Sequence, residues 1–201
     1  MSELSLPRVE SFPSRLLRLY AGLALYGAGV GVQVESRLGN NPWDVFHQGL
    51  AVRTGWSIGT WIILVGAIVM VFWIPLRQRP GVGTLSNIIF LGLFVDLTIW
   101  LAPTPDALVV RWIYLLAAVV FVAAATGLYL GAGMGPGPRD GLMTGLHRLG
   151  LSIRTARTLI ELTVLAAGWL LGGTVGVGTI VFAIAIGPLT QYFMQLMRPG
   201  R

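Results

Sequence analysis

One stretch of this sequence occurs twice, and the second occurrence keeps the spacing of the first. Gly39, Pro42, Asp44, Gly49 and Leu50 recur 96 positions on as Gly135, Pro138, Asp140, Gly145 and Leu146. After a one-residue deletion, Gly55, Ser57, Ile58, Gly81, Val82, Gly83, Thr84 and Gly92 recur 95 positions on as Gly150, Ser152, Ile153, Gly176, Val177, Gly178, Thr179 and Gly187. Chance matches a few glycines in a glycine-rich chain. It does not hold one offset, with one gap, over about fifty residues. The fold must therefore be one that a duplicated unit can build.

That unit is apolar. Of 201 residues, 55% are hydrophobic and 11% charged, and the mean hydropathy is +0.76. A soluble domain carries about 25% charged residues, so this chain has too few polar groups to cover a water-facing surface. The lipid bilayer is its expected solvent and first partner, and residues 1–201 are read as one membrane domain. The net charge of +6 comes from fourteen basic residues, all Arg. They sit at the ends of apolar runs, which is the membrane-orientation pattern and not the basic face of a nucleic-acid binder; nucleic acid is excluded as a partner. There is no Cys, which removes disulfides, thiolate chemistry and Cys metal sites. The two histidines do not correspond between copies, since His47 aligns with Met143 and His147 with Ala51. No Ser-His-acid order, HExxH run or phosphate loop with Lys is present, so no enzyme, cofactor or metal site is expected. The first fifteen residues hold acids and prolines without an apolar core, which reads as a chain with no cleavable signal peptide.

An all-α membrane protein with six spans follows, at about 16–36, 57–76, 84–102, 110–132, 155–172 and 176–196. Residues 1–14 form a polar cytoplasmic tail, 15–102 the first repeat and 110–196 the second. Residues 42–53 and 139–149 are short helices, too short to cross and so interfacial or re-entrant. Pro42 suits a first helical turn and Asp44 complements the dipole there. Gly22, Gly27, Gly29 and Gly31 permit close helix approach in lipid. With both termini inside, Arg8, Arg15, Arg18, Arg77, Arg79, Arg139, Arg148, Arg154, Arg157, Arg198 and Arg201 are cytoplasmic and only Arg37, Arg53 and Arg111 are outside, a clear positive-inside bias. Three spans per copy is an odd number. The second copy then enters the membrane from the opposite side, giving the inverted repeat of many secondary transporters.

The residues Gly39-Asn40-Asn41-Pro42-Trp43-Asp44-Val45, Gly55-Trp56-Ser57-Ile58-Gly59 and Arg79 to Thr84, with Asn87, Gly92 and Asp96, resemble the YczE/YitT-type family of bacterial integral membrane proteins over about 16–196. The resemblance implies a small polytopic protein of the bacterial inner membrane and names no substrate. The second copy departs where polar chemistry would sit, with Arg139 for Trp43 and Gln191 for Asp96.

Candidate site residues follow from cost. Ionisable groups inside apolar spans are expensive and are functional hypotheses by default, which singles out Asp96 and Glu161. Glu161 also fits an ion pair with Arg157, one turn away on the same helix. Asp44 and Asp140 are the acidic pair kept in both copies; they fit a cation site or gate at two helix starts, and they fit helix capping as well. Asn87 and Gln191 join them as polar groups on a substrate or ion pathway. Gly81, Gly83 and Thr84, with Gly176, Gly178 and Thr179, mark two helix starts with exposed amides, suited to anions or to tight turning. Two functions fit: a small-solute transporter or channel with its site between the repeats, or a non-transporting protein that supports or regulates another membrane complex. For a complete transporter the chain is short unless it forms a homodimer, which favours the second function.

Overall fold

The computed structural model describes residues 11–197, so the expectations for the first ten residues and for Arg198 and Arg201 lie outside it. The described residues form eight α-helices and no strand: α1 (Phe12–Ser36), α2 (Pro42–Thr54), α3 (Ile58–Trp73), α4 (Val82–Leu101), α5 (Leu108–Gly131), α6 (Pro138–Arg148), α7 (Ile153–Leu170) and α8 (Val177–Leu196). The first helix starts inside the expected polar tail, with Pro13 in its opening turn, where a missing N–H costs nothing.

The same local devices start corresponding helices. Ser57 caps α3 by accepting from Thr60 N at 3.1 Å, and Ser152 caps α7 by accepting from Thr155 N at 3.1 Å. Thr84 accepts from Gly81 N at 3.1 Å at the start of α4, and Thr179 from Gly176 N at 3.2 Å at the start of α8. Pro42 and Pro138 lie in the first turns of α2 and α6.

The core is a three-helix arrangement with α1 between α4 and α5. Its glycines divide by face. A methyl group at Gly22 would lie 2.8 Å from Tyr129 N and one at Gly29 2.8 Å from Val122 Cγ2, both on α5; at Gly27 it would lie 2.3 Å from Phe94 Cβ and at Gly31 2.6 Å from Thr98 Cβ, both on α4. Dispersion between close backbones, rather than expulsion of water, holds such helices together in lipid.

The two copies also clasp each other reciprocally. Gly83 N donates to Met134 O at 2.8 Å, and Gly178 N donates to Leu38 O at 2.7 Å. The loop before α6 thus seats on the start of α4, and the loop before α2 on the start of α8. Each loop turns on a glycine at positive φ, Gly39 at 115° and Gly135 at 116°, a conformation open mainly to glycine.

Three helices are long and apolar enough to cross a membrane: α4, α5 and α8; α2 and α3 qualify together as a pair bent by 115°, a broken span or a re-entrant loop. Length and composition therefore give three crossings, or four with the bent pair, against the six expected. The shortfall has physical causes. α3 has 16 residues, α7 carries Arg154, Arg157 and Glu161, and α1 carries Arg15, Arg18, Gln33 and Glu35 among its glycines.

Candidate functional site

A cavity of about 330 Å³ lies between the two halves. The starts of α2 and α6 close one part of it, through Asn41-Pro42-Trp43 and Gly137-Pro138-Arg139-Asp140. Leu91, Val122, Phe182 and Ile186 give it an apolar wall, and Asn87, Thr126, Glu161, Thr190 and Gln191 a polar one.

The short helices meet at corresponding residues. Trp43 and Arg139 occupy equivalent positions in the two copies, and the Arg139 guanidinium lies over the Trp43 ring at 4.7 Å from its centroid, within cation–π range. Arg139 also reaches Asp44, 3.8 Å away. Arg139 thus pairs across the halves, not with its neighbour Asp140 as sequence proximity allows.

Asp44 is buried and heavily held. Its backbone N–H donates to Asn41 Oδ1 at 3.1 Å, Asn41 Nδ2 donates to its Oδ2, and His47 Nδ1 lies 3.0 Å from its Oδ1. Asn41 therefore caps α2, and the Asp44 carboxylate holds Asn41 in place and anchors Arg139. With Nδ1 facing the Asp44 carboxylate, the other ring nitrogen of His47, Nε2, is buried without a partner among the described residues.

Asp140 is placed differently. It faces the cavity and accepts from Tyr129 O–H at 2.6 Å, and Tyr129 stacks on Tyr26 with ring centroids 6.2 Å apart. Its neighbour on the cavity wall is Met143, where the first copy has His47. Glu161 also lines the cavity and accepts from Arg157 Nε at 2.8 Å. Asn87 and Gln191 line it as well.

Asp96 lies elsewhere, on the contact between α3 and α4. Its Oδ1 accepts from Gly59 N at 2.7 Å and its Oδ2 from Ser57 O–H at 2.5 Å. A carboxylate there caps α3 from a neighbouring helix, with the dipole in its favour. The Gly81-Gly83-Thr84 and Gly176-Gly178-Thr179 starts are occupied too. The N–H groups of Gly83 and Gly178 hold loop carbonyls, and Thr84 O–H donates to Pro136 O at 2.8 Å.

Arg139, Arg157, Tyr26, Tyr129 and Trp43 are the site residues that sequence reasoning did not select. A signal for the arginines existed in the differences between copies: Arg139 stands for Trp43, Arg157 for Ile62 and Glu161 for Gly66. Nothing local marks the tyrosines, which read as span aromatics.

An all-helical bundle with lipid-length apolar helices around a charged internal cavity is a polytopic membrane protein. The chain belongs to the DUF6198 family of unknown function, whose model matches residues 13–195. It is 42% identical to an uncharacterized protein of Haemophilus influenzae over 89% of this chain and 83% of that one. It is 35% identical to the uncharacterized membrane protein YczE of Bacillus subtilis, over 86% of this chain and 82% of that one, in keeping with the resemblance drawn from its motifs. A second Bacillus subtilis protein, the uncharacterized YyaS, is 24% identical over 88% of this chain and 90% of its own. No solved structure matches significantly.

Proposed function

We propose that this protein is a small-solute transporter or channel whose working site is the cavity between its two halves. One observation carries the reading: charged side chains of the second copy, with amide side chains of both, line a single space where the starts of the two short helices meet. Charge inside a membrane protein is costly and marks pathways more often than packing. Asn87, Asp140, Glu161 and Gln191 are the groups a solute meets. Asp44 holds Arg139 in place from behind, and Asp96 with the two helix-start motifs secures the frame.

On this reading α1, α3 and α7 cross the membrane with α4, α5 and α8, and both termini are cytoplasmic. The polar groups of α1 support it, since Gln33 and Ser36 are buried inside the protein and need no lipid contact. The two copies are then related by an axis in the membrane plane, passing near the Trp43–Arg139 contact. Such an arrangement supplies alternating access by rocking one half against the other.

The test is flux of a panel of small charged and zwitterionic solutes into vesicles reconstituted with purified protein. Flux above that of protein-free vesicles, lost in Asp140→Asn at normal folded yield, is the expected result. No flux for any solute, together with an unchanged cellular phenotype for Asp140→Asn, would move the protein to the supporting or regulatory reading.

A further inference from the structure

The two halves differ most where two corresponding pairs of helices should pack alike. In the first half α3 and α4 close tightly: a methyl group at Gly59 would lie 2.1 Å from Gly92 O, and one at Gly92 2.4 Å from Gly59 O. In the second half α7 and α8 scarcely touch, and a methyl group at Gly187, the counterpart of Gly92, would meet no atom within 4 Å. The chemistry of the gap has changed in step. Buried Ile62, half-buried Gly66 and buried Val95 are replaced by Arg157, Glu161 and Thr190. Arg157 is 48% exposed and Glu161 28%, and both line the cavity. A charged pair thus sits at the gap, and on α8 the exposed Ile180 and Ile184 lie seven and three residues before Gly187, on the same helix face.

We infer that the gap between α7 and α8 is a side entrance from the bilayer, and that the cavity takes the zwitterionic head of a single-chain amphipath whose tail stays in the gap. The inference rests on the cavity being the working site proposed above. The lining fixes the class. Arg139 and Arg157 suit an anionic phosphate or carboxylate, Asp140 and Glu161 suit an ammonium, and the two pairs balance in charge. The Leu91, Val122, Phe182 and Ile186 wall accepts the first part of an aliphatic chain, and the apolar lips of the gap accept the rest. A wholly water-soluble solute has no use for an opening toward lipid. Sealing of the gap by a second copy of the chain is the competing arrangement.

Binding of radiolabelled lysophosphatidylethanolamine to the full chain in nanodiscs tests this, with free phosphoethanolamine and lysophosphatidylglycerol as competitors. Saturable binding is expected, with phosphoethanolamine and lysophosphatidylglycerol each competing at least ten-fold less well than unlabelled lysophosphatidylethanolamine. Gly187→Trp, which plugs the gap, should lower the affinity at least ten-fold. Should that variant fold poorly, Gly187→Cys modified with a bulky maleimide after purification gives the same block on folded protein. Free headgroup competing as well as the lysolipid would overturn the lipid origin of the ligand. Equal competition by lysophosphatidylglycerol would overturn the role of the acids. Unchanged binding in the plugged protein would overturn the entrance, as would spontaneous disulfide dimers of Gly187→Cys at high yield, which would place a second copy there. Gly187 also lines the cavity, so binding of free phosphoethanolamine retained in the plugged protein, with lysolipid binding lost, upholds the entrance; loss of both would overturn it, and solute flux in the unaltered protein tests the transport reading separately.

Discussion

The α3–α4 and α7–α8 contacts hold corresponding places in the repeated sequence, yet one is tightly packed and the other is not. In the first, two glycines bring backbones together, and Asp96 spans the helices to bind Ser57 and Gly59. In the second, Arg154 stands for Gly59 and Gln191 for Asp96. A side chain as large as Arg removes the close approach, and an amide cannot supply a full negative charge to the helix start. At corresponding places in the sequence, a handful of substitutions separate a closely packed helix pair from a loosely packed one.

The comparison breaks most sharply with Gly92→Leu against Gly187→Leu. At Gly92 the new side chain collides with backbone of α3, beyond the 1–3 kcal/mol typical of about one overpacked site, so folded yield in detergent should collapse. At Gly187 open space receives it, and yield should stay near that of the unaltered protein. Size-exclusion recovery of the two variants measures the difference. Equal recovery would mean that the α3–α4 contact is not tight.

Acid removal comes next. Asp96→Ala leaves the Ser57 hydroxyl and the Gly59 N–H without their charged acceptor, at a cost of about 2 kcal/mol. Glu161→Gln breaks a half-exposed pair with Arg157, worth ~0.5 kcal/mol or less. Thermal unfolding should therefore shift clearly for the first and hardly for the second, while any solute flux or cellular phenotype should be lost in the second. A large stability loss in Glu161→Gln with normal function would reverse the assignment of structural and working acids.

The smallest effect sharpens the same contrast. Ser57 and Ser152 are equivalent caps, each worth about 1 kcal/mol, but Ser57 also donates to Asp96. Ser57→Ala should cost more than Ser152→Ala by roughly one hydrogen bond to a charged group, ~1.5 kcal/mol, measured by unfolding in parallel.

Helix positions were legible because apolar runs, proline starts and serine caps are local signals. The expected short helix at 42–53 is observed at Pro42–Thr54, and the one at 139–149 at Pro138–Arg148. Span number was less legible, because α1 and α7 carry polar groups whose burial or cavity exposure depends on neighbours far along the chain. The site was legible in part for the same reason. Glu161, Asp140, Asn87 and Gln191 stand out as polar groups in apolar surroundings, and they line the cavity. Asp96 stands out equally, yet its partners come from 37 and 39 residues away, and no local pattern announces them. Tyr129 binds Asp140 through a hydroxyl at the far end of a helix that reads as plain lipid span.

The cavity between the two halves reaches water at Thr190 on α8, while the corresponding position on α4 is packed shut. Thr190 lines that cavity, and its counterpart Val95 is fully buried. Because the chain has no Cys, single variants Thr190→Cys and Val95→Cys in nanodiscs can be compared directly for reaction with a charged, membrane-impermeant maleimide. The account predicts rapid modification of Thr190→Cys and none of folded Val95→Cys; protection of both positions would contradict it.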